Sequence, residues 1–295
     1  ARITQVTTSG ANGTRLPVSN RAAVTLDSTG FTLRGGGAHG IWSYVTAAGD
    51  SNTVTLRNGS RIDTQDGVGL LASGGGHTFL VSDSDITARA GGDVGSGVLL
   101  HSRAVTVTSG GVSTVIESEQ VTLDATNARL TGDVLADSGT VDVSLANGST
   151  LNGALVQRGT GRINGLTLDG TSTWIVRGDS SLATLSSAGT VAFAAPAGGA
   201  GFKTLTVNNY VGGGTLVLNT QLGDDASPTD KLVIDGGTTS GNTALRIVNA
   251  GGSGGQTTYG IRVVETINGG TTTADAFHLD SGSTGYRASA RTVSL

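Results

Sequence analysis

Residues 54–70 read Val-Thr-Leu-Arg-Asn-Gly-Ser-Arg-Ile-Asp-Thr-Gln-Asp-Gly-Val-Gly-Leu, and they contain the fold in miniature. The triplet Val54-Thr55-Leu56 alternates apolar and polar residues, the period of a strand with one face buried. Asn58-Gly59-Ser60 is a turn tripeptide, because Asn and Gly tolerate the left-handed conformation a sharp bend needs. Arg61-Ile62 opens a second short apolar stretch, and Gly67-Val68-Gly69-Leu70 a third. Three short strands separated by corners make one coil of a solenoid.

Working outward, the triplet recurs at Val24-Thr25-Leu26, Phe79-Leu80-Val81, Val105-Thr106-Val107, Val121-Thr122-Leu123 and Val141-Asp142-Val143. Second pieces follow at Ser82-Asp83-Ser84-Asp85-Ile86 and at Ala128-Arg129-Leu130-Thr131-Gly132-Asp133-Val134, and a third piece at Gly97-Val98-Leu99-Leu100. Spacings of roughly 16–30 residues suit a coil of a parallel β-helix. A β-propeller is the rival architecture, but it requires four antiparallel strands in every ~40–45 residues, and the triplets recur too often for that. Alternation predicts Val54, Leu56, Val121 and Leu123 inside, with Thr55 and Thr122 outside.

Composition agrees with an all-β chain. Among 295 residues there are 49 glycines, 43 threonines and 29 serines, against 3 glutamates, 2 lysines and no methionine. Good helix formers are therefore scarce. The 28 valines and 27 leucines supply a core, which excludes Gly/Ser-rich disorder. Three prolines and no three-residue glycine period exclude collagen. The chain has no cysteine, so disulfides, thiolate metal sites and cysteine nucleophiles are excluded together. A net charge of −4 with interspersed signs gives no nucleic-acid surface. No apolar run is long enough for a membrane-spanning helix, and residues 1–5 lack the shape of a signal peptide.

From about residue 165 the strands lengthen, as in Thr204-Leu205-Thr206-Val207, Thr215-Leu216-Val217-Leu218 and Lys231-Leu232-Val233-Ile234. Residues 1–164 are expected to form β-helix coils, and 165–295 a terminal segment of the same solenoid that caps its open end. Within that segment, residues 173–193 begin Thr-Trp-Ile-Val-Arg-Gly-Asp-Ser-Ser-Leu, and 202–218 begin Phe-Lys-Thr-Leu-Thr-Val-Asn-Asn-Tyr. Ser227-Pro228-Thr229-Asp230-Lys231-Leu232-Val233-Ile234 and Thr273-Ala274-Asp275-Ala276-Phe277 follow in order. Together these resemble the C-terminal passenger region of pertactin-like autotransporters, the type V secretion family of Gram-negative bacteria. The resemblance covers roughly residues 165–285; upstream only the repeat style matches.

The resemblance implies a right-handed three-stranded parallel β-helix on the bacterial cell surface (outer membrane) or secreted, ending in an autochaperone segment. It implies a membrane β-barrel after the passenger, and none is read in these residues. The expectation is a mature or truncated passenger whose link to a membrane is that missing barrel. The function expected is that of an adhesin or virulence factor, non-catalytic, binding a host cell-surface or serum protein. The alternative is a self-associating passenger that promotes bacterial aggregation and biofilm. A polysaccharide- or ester-cleaving β-helix enzyme is the weaker third reading. No cofactor or metal is expected.

Each candidate for chemistry has a plainer reading beside it. Gly35-Gly36-Gly37-Ala38-His39-Gly40 has dinucleotide-loop spacing, but Ile41-Trp42-Ser43-Tyr44 after it predicts a strand where phosphate binding needs a helix. Gly178-Asp179-Ser180-Ser181-Leu182 approximates an esterase signature without the α/β framework that signature requires. Asp83 with Asp85, and Asp63 with Asp66, are the nearest paired carboxylates; they are expected to bond their own turns. His39, His77, His101 and His278 are singletons, expected at the surface or in turns. Asn58-Gly59-Ser60 and Asn147-Gly148-Ser149 fit a glycosylation sequon and are read as turns. Arg177-Gly178-Asp179 is the one cell-adhesion triplet. In pertactin-like adhesins an RGD of this kind is associated with integrin binding, which needs the triplet at an exposed turn tip.

Overall fold

The computed structural model describes residues 2–9, 16–34, 39–89, 97–197 and 201–283, with side chains from residue 19 onward. No helix occurs among them, and so none is long and apolar enough to cross a membrane. The strands stack in parallel as three faces of a β-helix. On the first face lie Ser51–Arg57, Gly75–Ser82, Ser118–Thr126, Thr140–Ala146 and Arg162–Leu168. The second holds Arg61–Thr64, Asp85–Ala88, Arg129–Thr131, Thr150–Asn152 and Thr173–Val176. The third is a six-stranded sheet from Leu16–Ser19 through Ile41–Tyr44 to Leu155–Gln157. Beyond it, longer strands such as Ser180–Ser187 and Thr204–Gly212 run continuously from the third face into the first.

Parallel pairing puts like residues above like. On the second face the register aligns Phe31, Ile62, Ile86, Leu130, Leu151, Trp174, Val191 and Leu216, all buried. On the first it aligns Val54, Phe79, Leu123, Val143, Leu166, Leu185 and Tyr210. Ile41, Leu70, Leu100, Val134 and Leu155 form the third column. One core thus runs from Leu26 to Ile247. Val54, Leu56, Val121 and Leu123 are fully buried, while Thr55 and Thr122 point outward, as the alternation predicts.

The corner between the first and second faces explains the turn tripeptides. Ser28, Asn58, Asp83, Asn127 and Asn147 occupy it in successive coils with φ of 53°, 56°, 48°, 49° and 54°. Left-handed backbone is costly for most residues and least so for Asn and Asp, whose side chains bond locally. Buried serines then lock the bend. Ser60 Oγ donates to Arg57 O (2.8 Å) and accepts Thr29 N of the preceding coil (3.1 Å); Ser149 repeats this with Ala146 O (2.7 Å) and Ala128 N (3.1 Å).

Two expectations need correction. Val105-Thr106-Val107 is not a coil strand. Val105–Ser109 pairs antiparallel with Val112–Ile116 as a separate hairpin, inserted where the chain passes from the third face to the first. The insert carries the same β-branched alternation as a coil strand, which is why the pattern misleads. The histidines are also mostly interior: His39, His77 and His101 are buried, and only His278 is exposed. His77 Nε2 donates to Gly74 O (2.6 Å) and Nδ1 accepts from Ser43 Oγ, which also receives Asn52 Nδ2 (3.0 Å). Burial pushes its pKa down from 6.5 to about 4.

Leu123→Asp is expected to cost about 4 kcal/mol or more, since it buries a charge with no partner, whereas Thr122→Asp stays within about 1 kcal/mol. Urea unfolding of the two variants distinguishes inside from outside. His77 adds a pH dependence. Its folded value lies below its unfolded one, so between pH 6.5 and 4 the unfolded chain binds the proton more readily. Stability is full above about pH 6.5 and falls as pH drops toward 4, by about 2 kcal/mol between pH 7 and pH 5. His77→Gln should flatten that part of the profile.

Candidate functional site

The adhesion triplet sits at a three-residue corner, between Thr173–Val176 on the second face and the long strand Ser180–Ser187. Arg177 and Asp179 are exposed, and Gly178 is half-buried over Ala154. The aspartate is not idle. Asp179 Oδ1 accepts Thr204 N at 2.7 Å, which ties this corner to the next coil. Arg177 lies close enough to Asp133 to oppose the rise that burial imposes on that carboxyl. Beside the corner is an open groove of about 260 Å³, walled by Leu155, Gln157, Asp179, Ser181, Thr204 and Thr206.

The other candidates are likewise absorbed by the coils. Ser180 is buried; its Oγ donates to Gly178 O (2.9 Å) and accepts Leu155 N (3.1 Å), so both bonds of the would-be nucleophile go to backbone. Asp83 and Asp85 do not share a strand, because Asp83 forms the left-handed corner before Asp85–Ala88 begins. Asp83 accepts Asn127 Nδ2 (2.6 Å), and Asp85 is paired with Arg61 (2.8 Å). Asp63 takes both arms of Arg89, at 2.9 and 3.0 Å. These carboxylates bond neighbouring coils rather than their own turns. His101 Nε2 donates to Asp137 Oδ2 (2.8 Å), yet burial outweighs the carboxylate and keeps its pKa down. Among the described residues no group of three potential ligands is placed to hold a metal. Of the glycine-rich loop, residues 35–38 lie outside the described ones; His39 and Gly40 lead into a strand, Ile41–Tyr44, as expected.

Two aspartates that the sequence did not single out organise the C-terminal segment. Asp230 is fully buried, with Oδ1 accepting Lys203 N (2.8 Å) and Oδ2 accepting Asn219 N (2.8 Å) and Asn219 Nδ2 (2.7 Å). The signal was present: an acid two residues before the apolar run Leu232-Val233-Ile234 sits where a charge must be either partnered or exposed. Asp225 gathers the backbone N–H groups of Thr258, Tyr259 and Gly260 at 2.6–3.1 Å and lies low in pKa for that reason. It fixes a loop whose tip carries Tyr259, 90 % exposed.

Comparison with known proteins agrees with this architecture. Residues 180–285 match the family model described as Autochaperone Domain Type 1. The Adhesin BmaC autotransporter of Brucella suis is 28 % identical over 83 % of this chain, and the BrkA autotransporter of Bordetella pertussis 29 % identical over 81 %. The Autotransporter adhesin AIDA-I of Escherichia coli is 47 % identical over 64 residues, 21 % of this chain and 5 % of its own length. The matched region is 8 % of BmaC and 23 % of BrkA, so the chain spans less than a quarter of either. Coils, terminal segment and relatives converge: over most of its length the chain is similar to the passengers of bacterial autotransporters, proteins of the outer surface or its surroundings, and residues 180–285 match a type 1 autochaperone domain.

Proposed function

We propose that this passenger segment is part of a non-catalytic adhesin whose partner is a host cell-surface or serum protein. The observation that carries the reading is the use the fold already makes of Ser180 and of four of the candidate aspartates. Ser180, Asp63, Asp83, Asp85 and Asp179 each spend hydrogen bonds on neighbouring coils, and the hollow beside Asp179 is an open groove. The names of BmaC and AIDA-I as adhesins support the same direction. Open, extended surfaces suit protein contacts, which spread over many residues.

On this reading attachment does not pass through Arg177-Gly178-Asp179, whose carboxylate accepts Thr204 N of the next coil. Asp179→Asn keeps that oxygen acceptor and removes the charge. Cells displaying the variant are expected to attach to host cells as the parent does. A tenfold loss of integrin-dependent attachment, with unchanged thermal unfolding, would restore the triplet as the ligand.

The proposal extends to folding: the part from about residue 165 folds first and templates the coils upstream. The buried Asp230 network and the stacking of Tyr210 on Phe277 (5.6 Å between ring centres) give this part contacts of its own. Residues 284–295 lie outside the described ones. In the intact chain, Asp230→Ala should mainly slow refolding, while Leu56→Ala should mainly speed unfolding. Stopped-flow refolding from urea reads both, and the reverse partition would place the nucleus upstream.

A further inference from the structure

The hairpin Val105–Ser109/Val112–Ile116 stands apart from the solenoid's hydrogen bonding. It is a sheet of two strands, and among the described residues no third strand pairs with either. The coils on either side pin its root, with Gly74 N donating to Arg103 O (2.9 Å) and Gly75 N to Glu117 O (2.8 Å). Gly74 must lack a side chain, since a Cβ there would stand 2.6 Å from Val105 Cγ1. The tip is Gly110-Gly111, both at positive φ (57° and 81°), the two-residue turn whose twist suits a hairpin.

That turn fixes which backbone groups are used. Ser109 and Val112 flank it and exchange both bonds, as do Val107 with Thr114 and Val105 with Ile116. The pairs between them, Thr108–Ser113 and Thr106–Val115, turn their N–H and C=O groups outward. The close side-chain approach expected of such a pair is present, with Thr108 Oγ1 2.8 Å from Ser113 Oγ. On the second strand, Val112 through Val115 are all exposed, Val112 by 67 % and Val115 by 57 %. The first strand is more covered, with Val105 and Val107 half-buried. Residues 104–116 contain no charge and no proline, the usual guards against edge pairing.

We infer that this outer edge is a homotypic contact: Val112–Ile116 pairs antiparallel with the same strand of a second copy of the chain, about a twofold axis through Thr114. The register identifies the occupant. Twofold pairing about residue 114 sets Ser113 against Val115 of the second copy and Val115 against its Ser113. These are the residues with outward N–H and C=O groups, so all four groups on each copy's edge are satisfied. Val112 then faces Ile116 of the other copy, apolar against apolar, and Thr114 faces Thr114. Glu117 falls opposite Gly111 rather than another Glu117, so no like charges meet. An unrelated extended strand satisfies the same backbone groups, but the facing Val112–Ile116 pairs and the absence of opposed like charges are particular to a second copy. The inference is independent of the host-adhesin reading, because it concerns contact between copies.

The cysteine-free chain allows a clean test. Position 114, on the axis, brings two Cβ atoms into disulfide range, whereas positions 113 and 108 do not. Under mild oxidation the purified Thr114→Cys variant should form disulfide-linked dimers at least tenfold faster than Ser113→Cys or Thr108→Cys. The parent chain should show concentration-dependent dimerisation in sedimentation equilibrium. Ser113→Pro removes an outward N–H and no bond within the hairpin, and Thr114→Lys places two charges on the axis. Both should be monomeric, with unchanged urea unfolding. Equal oxidation rates for the three cysteine variants, or a parent that stays monomeric up to about 0.5 mM, where even a Kd of about 1 mM leaves a measurable share of dimer, would overturn the inference. A parent that is monomeric yet binds the synthetic peptide of residues 111–117 would likewise overturn it, by making the edge a site for extended peptides.

Discussion

No coil of this protein can satisfy its own backbone. Each short strand donates and accepts only across coils, from Val54 against Phe79 to Leu216 against Leu245, so a coil exists as ordered structure only while its neighbours do. Everything else is arranged so that successive coils stay in register. The side-chain columns are one device, because aligned apolar residues make a one-residue slip turn a whole strand inside out. The corners are the other. A left-handed residue recurs at the same bend in Ser28, Asn58, Asp83, Asn127 and Asn147, and after Asn58 and Asn147 a buried serine, Ser60 or Ser149, bonds the coil before it.

The core changes character toward the C-terminus, and the reason is visible at one glycine. Down the first face, the column Leu26, Leu56, Val81, Ala125, Leu145 and Leu168 continues as Ser187, Gly212 and Gly241. The space is taken by Tyr210. A Cβ on Gly212 would stand 2.6 Å from the Tyr210 ring and 1.8 Å from Thr243 Oγ1, the hydroxyl that donates to Tyr210 Oη. Tyr210 in turn stacks on Phe277 two coils on. Aliphatic filling thus gives way to an aromatic and polar closure, in the region that also contains the buried Asp230.

What could be read in advance divides along the same physics. Coil strands were legible because inside and outside alternate with period two, and the corner tripeptides because only a few residues accept positive φ. The hairpin was not legible, since Val105-Thr106-Val107 has the same alternation as a coil strand and differs only in where its hydrogen bonds go. Interior histidines were missed for a related reason. His77 occupies a column whose upstream neighbour is Asn52 and whose downstream neighbour is Val121, and a polar residue at an inward position looks like a surface one until the register is known. At the candidate site the triplet's position in a corner could be foreseen. The bond from Thr204 N to Asp179 could not, because it joins residues 25 apart whose adjacency only the stacking creates.

These constraints also decide where such a passenger can acquire function. Outward positions on the strands are columns like the inward ones, and several are occupied by coil-to-coil pairs such as Arg61 with Asp85 and Arg57 with Asp27. Changing one residue there disturbs its neighbours above and below. Corners are freer. The passage from third to first face takes three residues at Asp137-Ser138-Gly139, and at the equivalent place between Arg103 and Ser118 it takes a whole hairpin. Yet the strands on both sides keep their partners: Leu100 on Leu70, and Leu123 on Phe79. Lengthening a loop whose ends are already pinned adds little closure entropy, because that cost grows only with the logarithm of length. Corner inserts can therefore vary in length and sequence while the columns beneath them stay fixed.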